Sequence, residues 1–252
     1  MAGKKGLVMG VANERSIAWG IAKTCHEHGA KLAFTYQGEA LEKRLRPLAQ
    51  SIGSEIVVPC DVTDPKSIDA TFAAIQKEWG ELDFVVHAIA FSNKDELKGR
   101  YLNTTLENFT LSMNVSCYSL TAVAQRAVPL MKKGGSIVTL TYYGAERVIP
   151  NYNIMGVAKA ALEASVKYLA ADLGRENIRV NAISAGPVKT TSARGIRDFS
   201  SILDKVAGRA PLRRNCEPAE VADTAVFLAS PLGRGVTGNT IFVDAGYQLL
   251  GV

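Results

Sequence analysis

Cysteine is scarce in this chain. The four residues Cys25, Cys60, Cys117 and Cys216 lie far apart with no C-x-x-C spacing, which argues against a disulfide framework or a zinc ribbon. Histidine is scarcer still: His26 and His28 are two apart on an expected helix and so face different directions, and metal chemistry is set aside. No apolar run approaches the roughly 18–20 residues of a membrane span, and Leu7–Ala12 is too short for a signal-peptide core; a soluble, cytoplasmic protein is expected. A concentrated basic face is missing too. Net charge is +5, from 29 basic and 24 acidic residues, with only short clusters at Lys43–Arg46 and Arg213–Arg214. A nucleic-acid binder would gather such charge on one face, whereas a mild, scattered excess suits an acidic small ligand or an acidic protein partner. Repeats, low-complexity tracts and linkers are also absent, so the 252 residues read as one domain (1–252) able to bury its own core.

What is present is alternation. Leu7–Met9, Leu32–Tyr36, Ile56–Val58, Phe84–Ala88, Ile137–Leu140, Val180–Ile183 and Thr240–Val243 read as short buried strands. Between them, Ile17–His28, Glu39–Ser51, Ser67–Glu78, Leu106–Met131, Met155–Leu173 and Ala219–Ala229 have helical periodicity. Pro218 before Ala219-Glu220 marks a helix start. Seven strands interleaved with helices predict a doubly wound parallel sheet, covered on both faces. The long irregular stretch from Gly186 to about Ile202 is a candidate lid.

The first strand ends at Gly10 and a helix opens near Ser16-Ile17. Amides at a helix start, aided by a Ser cap, suit a pyrophosphate, and a small residue lets a ligand approach the backbone. The spacing is not G-x-G-x-x-G, since Gly10 and Gly20 are the only glycines there, and a plain strand–turn–helix fits equally. Gln37, at the end of the second strand, stands where dinucleotide folds usually place an acidic residue against the ribose hydroxyls. No Arg or Lys follows immediately to receive a 2′-phosphate, so the pattern favours NADH over NADPH. Asp61, in Cys60-Asp61-Val62, offers a carboxylate for the adenine amino group; a loop or cap role is the alternative.

Tyr152 and Lys159, seven apart, would return to one face of a helix after two turns, with a rise of about 10 Å. A lysine can hold a nicotinamide ribose, and a phenol can donate to an oxygen that gains negative charge. On pattern alone, such a pair is usually a solvated surface pair. Several segments carry a resemblance that decides between these readings: Gly10 to Ala18, Ala33–Gln37, Cys60–Val62, Gly144–Arg147, Ile149–Asn153, Met155-Gly156 with Lys159, and Arg179–Pro187. Essentially end to end, the chain resembles the bacterial enoyl-acyl-carrier-protein reductases of type II fatty-acid synthesis, a branch of the short-chain dehydrogenases. The Tyr-x6-Lys spacing is the specific element, where carbonyl-reducing members carry Tyr-x3-Lys.

The resemblance implies a Rossmann-like α/β fold, with a doubly wound seven-stranded parallel sheet, and NADH-dependent reduction of a trans-2-enoyl thioester on an acyl carrier protein. It implies Tyr152 as the partner of the thioester carbonyl, Lys159 as the ribose anchor and Tyr142 as a second active-site tyrosine, chosen over adjacent Tyr143. Cofactor contacts would fall to Gly10, Ser16, Ile17, Gln37, Asp61, Val62, Ile89 and the run Val188, Lys189, Thr190, Thr191, Ser192. Ser92 would lie on the substrate side, with Phe199 and Ile202 in a lid spanning about 188–209. Asn114 resembles the superfamily's helix asparagine, as a relay or simply a satisfied helix residue. A homotetramer is implied as well.

Overall fold

Runs of Val, Ile, Leu and Phe only four to eight residues long become strands here because both faces of each are covered. The computed structural model describes residues 1–190 and 199–250. Strands β1 (Lys5–Met9), β2 (Lys31–Tyr36), β3 (Ile56–Pro59), β4 (Phe84–His87), β5 (Gly135–Thr141), β6 (Ile178–Ala185) and β7 (Thr240–Val243) form one sheet. Its order is β3-β2-β1-β4-β5-β6-β7, with every neighbouring pair parallel. The helices are α1 (Ile17–Glu27), α2 (Glu39–Ser51), α3 (Pro65–Trp79), α4 (Leu106–Met113), α5 (Ser119–Ala127), α6 (Ile154–Leu173), α7 (Phe199–Arg209) and α8 (Pro218–Ala229). The doubly wound fold expected from the sequence is the one observed.

Side chains alternate along a strand. In β1, Leu7 and Met9 join a core with Phe72, Leu120, Leu162 and Val166 from α3, α5 and α6. Val8 between them joins the opposite core, with Ile21, Leu45, Val221 and Ala225 from α1, α2 and α8. The sandwiched stretch Leu7–Met9 is therefore apolar at every position, each such side chain adding about 1.5–3 kcal/mol by leaving water. At Gly6, a Cβ would fall 2.0 Å from Phe84 Cζ, so this glycine makes room for a ring from the neighbouring strand.

Three expectations are corrected. The run Leu106–Met131 is not one helix: after α4, the five residues Asn114–Tyr118 form a π-helical turn, α5 follows, and a short 3₁₀ turn at Val128–Leu130 ends the run at Pro129. The turn re-aims Ser116, whose hydroxyl accepts from Phe91 N at 3.0 Å and stands 3.1 Å from Phe91 O. A hydrophobic period does not register one extra residue of this kind. The stretch read as irregular up to Ile202 becomes α7 from Phe199 onward, with Leu203 and Val206 buried. Finally, Tyr152 does not share a helix with Lys159: α6 starts at Ile154, and Tyr152 sits in the preceding turn, between Asn151 (φ 62°) and Asn153 (φ 37°). Asparagine is among the few side chains that tolerate this left-handed backbone.

Candidate active site

A parallel sheet delivers all its strand ends to one edge, and ligands of open α/β sheets bind there, where the strand order reverses. In this chain the reversal falls between β1 and β4. Gly10 ends β1 with φ +96°, and a Cβ there would stand 2.1 Å from Ala88 O. The chain after β4 thus passes close against this glycine, where any side chain would clash. Ser16 precedes α1 but does not cap it. Its hydroxyl accepts from Ala12 N at 3.0 Å and Asn13 N at 3.1 Å, tightening the loop. The first-turn amides of α1, beginning at Ile17, are therefore not spent on a side-chain cap. An uncapped helix start at the switch point fits a pyrophosphate.

Beyond β2 and β3, Gln37 Nε2 donates to Asp61 Oδ2 at 2.9 Å. Asp61 Oδ1 accepts from Thr63 N at 2.8 Å and Thr63 Oγ1 at 2.7 Å. Burial pushes this carboxyl up, but the bonds from Thr63 and Gln37 outweigh it and hold it below the usual range. Val62 and Ile89, half-buried, pack on the sheet just beyond β3 and β4. After β6, Gly186 N donates to Val243 O at 2.8 Å, Val188 is buried, and Lys189 and Thr190 line a cavity of about 1130 Å³. Thr191 and Ser192 lie outside the described residues.

That cavity is walled by Tyr142, Ile149, Pro150, Phe199 and Ile202, with Arg15, Lys189 and Lys205 adding positive charge. Tyr152 stands behind Tyr142, the rings meeting edge to face with centroids 5.1 Å apart. Leu97, Ile154 and Met155 enclose it. Burial, with Tyr142 and Glu163 nearby, raises the Tyr152 phenol well above its ordinary value, and burial pushes Tyr142 up to about 12. Both therefore remain donors at neutral pH. Lys159, 6% exposed, donates from Nζ to Leu140 O at 2.7 Å, two residues before Tyr142. Tyr143 turns away, its ring against Phe242 and Tyr247. Ser92 is buried in the loop after β4, its hydroxyl donating to Asn108 Oδ1 at 3.2 Å, and is not part of the cavity wall. Asn114 opens the π turn, where its carbonyl accepts from Ser119 N.

Two residues that sequence reasoning did not assign shape the site. At Gly144 a Cβ would stand 2.5 Å from Tyr152 Cδ1, and at Gly156 one would stand 2.8 Å from Gly144 O. Together they form the slot that receives the phenol ring. Both lie in segments that carried the resemblance, but a glycine's reason for being is invisible until its neighbours are known.

The geometry can be set beside known proteins. A family model described as Enoyl-(Acyl carrier protein) reductase matches residues 10–248. Enoyl-[acyl-carrier-protein] reductase [NADH] 1 of Rhizobium meliloti (strain 1021) is 60% identical over 252 residues, covering 100% of this chain and 93% of the relative. The FabI protein of Bacillus subtilis (strain 168), also named an [NADH] enzyme, is 57% identical over 251 residues, 99% of this chain and 97% of the relative. Among solved structures, the Bacillus cereus reductase with NADP+ and indole naphthyridinone superposes with TM-score 0.98 at 57% identity, covering 100% of this chain and 98% of that one. The Anaplasma phagocytophilum reductase in complex with NAD gives 0.95 at 57%, covering 100% and 94%. With matches running the length of the chain and a site built at the expected strand ends, this protein belongs to the enoyl-(acyl carrier protein) reductase family of the short-chain dehydrogenases.

Proposed function

We propose that the chain is an NADH-dependent enoyl-[acyl-carrier-protein] reductase that saturates the trans-2 double bond of an enoyl thioester in type II fatty-acid elongation. The observation that carries this is the Tyr142–Tyr152 edge-to-face pair, with Tyr142 in the cavity wall, Tyr152 in a glycine slot beside it, and buried Lys159 bonded to the strand two residues before Tyr142. Bound reduced nicotinamide supplies the hydride to the β-carbon. Tyr152 would donate a hydrogen bond to the thioester oxygen as negative charge gathers there, its raised pKa keeping the phenol protonated, and a proton from solvent to the α-carbon would complete the saturated chain. One preorganised donor of this kind is worth about 3–4 kcal/mol. Tyr142 orients the Tyr152 ring from the cavity side. Lys159 leaves Leu140 O, or shares its protons, to hold the ribose. Gln37 and Asp61 receive the adenosine half, and the helix start at Ser16-Ile17 receives the pyrophosphate. Gly10 shapes that edge, with Val62, Ile89 and the segment from Val188 through Thr190 lining the cofactor side.

Ser92 supports the substrate side from the loop after β4, and Phe199 and Ile202 belong to a lid of about residues 188–209 over the acyl chain. The thioester arrives on an acidic carrier protein, which the basic wall of Arg15, Lys189 and Lys205 suits. A cytoplasmic homotetramer is the expected form: Leu106, Tyr118 and Tyr168 are exposed apolar residues of the α4–α6 layer, and no helix among the described residues is long and apolar enough to cross a membrane. The test follows loss of NADH absorbance with a crotonyl thioester. The parent should consume NADH, Tyr152→Phe should turn over about 10²-fold more slowly, and Lys159→Ala should mainly weaken NADH binding. A protein that ignored the thioester but reduced simple ketones would overturn the assignment.

A further inference from the structure

Helix α6 carries a second ionisable group, which hydride transfer and oxyanion stabilisation do not use. Glu163 stands one helical turn after Lys159, so both side chains leave α6 on one face. That face packs on the end of β5. Lys159 Nζ donates to Leu140 O at 2.7 Å, and Thr141 Oγ1 donates to Glu163 Oε1 at 2.7 Å. Leu140, Thr141 and Tyr142 are consecutive, so two bonds from successive turns of α6 hold the strand end that presents the active-site phenol. Thr141 is 5% exposed and Glu163 is half-buried, so neither contact is a loose surface pair.

We propose that Glu163 is a positioning residue of the reductase site: its carboxylate is the counter-charge that keeps the Lys159 ammonium charged and in register for the cofactor ribose, anchored through Thr141. The proposal rests on the reading of Lys159 as ribose anchor. The groups facing Lys159 are Glu163 on α6, Cys117 in the π turn and His87 on β4. Glu163 in turn faces Lys159 and Lys167 on α6, Glu146 in the turn after β5, and Tyr152. Burial pushes Lys159 down, to about 8, and Glu163 pulls it back up more than Cys117 does. His87, fully buried between Thr139 and Ser119, is held down at about 3 by burial and by Lys159, and so carries no charge near neutrality. Burial raises Glu163 itself, while the Thr141 hydroxyl, Lys167 and Lys159 draw it back toward the anion.

Glu163→Gln separates charge from packing, because glutamine keeps the volume and an acceptor for Thr141. The first readout is the pH titration of the Lys159 ε-carbon by NMR in the cofactor-free protein. Opposite charges one turn apart in half-buried surroundings couple by about one pKa unit, so the midpoint should fall by about that much. The second is NADH affinity by fluorescence. It should weaken about fivefold at pH 8 and stay within about twofold at pH 6, since a midpoint dropping from about 8 to about 7 leaves roughly one lysine in ten protonated at pH 8. Thr141→Val, which keeps the charge, should move the midpoint by less than half as much. Glu163→Met, which fills the space without charge, should reproduce the glutamine result should that variant fold poorly. A midpoint and an affinity profile that coincide with the parent would overturn the proposal. Lys159→Ala with unchanged NADH affinity would instead remove the ribose assignment beneath it.

Discussion

Adding one methyl group at Gly144 tests the slot that holds the Tyr152 ring. The alanine Cβ would stand 2.5 Å from Tyr152 Cδ1, 2.7 Å from Cε1 and 3.4 Å from Tyr142 Cδ1. Non-bonded carbons rest at about 3.5–4.0 Å, so the Tyr152 ring must retreat by about 1 Å. It has no free space to take, because Leu97, Ile154 and Met155 enclose it and Tyr142 abuts it. Gly144 is not among the glycines with positive φ, so the backbone itself accepts alanine and the whole effect is steric. Overpacking of this kind costs about 1–3 kcal/mol, and at this chain length each kcal/mol lowers Tm by about 2–4 °C. A 1 Å displacement of a catalytic group costs about 10²-fold in rate. Gly144→Ala should therefore stay folded, bind NADH within about twofold of the parent, and reduce an enoyl thioester about 10²-fold more slowly. Steady-state kinetics, thermal melting and NADH fluorescence read these separately. A variant within about threefold of parental kcat/KM would refute the claim that the slot sets the phenol's position.

His87 is buried with a pKa near 3, against about 6.5 unfolded, so folding is favoured by the neutral ring. That stability is complete above pH 6.5 and declines as pH falls; denaturant titrations should show a loss of about 2 kcal/mol between pH 7 and pH 5 that a His87→Gln variant lacks, and an equal slope in both would be the wrong outcome. Arg46 Nε donates to Glu42 Oε1 at 2.7 Å, and its guanidinium lies 5.7 Å from the centroid of the Tyr36 ring, beside Gln37. Glu42→Ala frees this cation for a 2′-phosphate, and the NADPH-to-NADH ratio of kcat/KM should rise about three- to tenfold, a steady ratio rejecting the idea. Moving the lysine one turn nearer the phenol, as Gly156→Lys with Lys159→Ala, should neither restore NADH binding nor create ketone reduction; either one, measured by NADH fluorescence and ketone turnover, would show that the spacing alone decides the chemistry.

The sheet was legible because its signal is local. Leu7–Met9 must be apolar at each position to lie between two helical layers, and Pro218 opens α8 as read, helped by the reciprocal capping of Glu217 and Glu220. The strand-end residues Gln37 and Asp61 could be placed for the same reason: a parallel sheet brings all such ends to one edge. What stayed hidden depends on contacts between distant segments. Ser16 looked like a cap, yet its hydroxyl turns back to close the loop. Phe199, Ile202, Leu203 and Val206 have helical spacing, but it follows a polar run broken by Gly186-Pro187 and Gly195. The π turn at Asn114–Tyr118 exists to bring Ser116 to Phe91, 25 residues away in sequence.

The seven-residue separation of Tyr152 and Lys159 has a different physical origin from the one periodicity suggests. Two full helical turns would account for it if both residues lay on α6, but Tyr152 precedes that helix, and two asparagines in left-handed backbone aim its side chain. The phenol is placed by a turn and the ammonium by a helix, so their relation is set by how the turn docks on α6. That docking is close: Gly156, on the first turn of α6, passes so near Gly144 O that a Cβ would reach 2.8 Å. The position four after the tyrosine, where a carbonyl reductase carries its lysine, is thus occupied by backbone contact. Lys159, further along α6 and bonded to Leu140 O, faces β5 instead. The motif's spacing and its two glycines are one structural solution: a ring slotted between turn and helix on one side, and a cation held against the strand on the other.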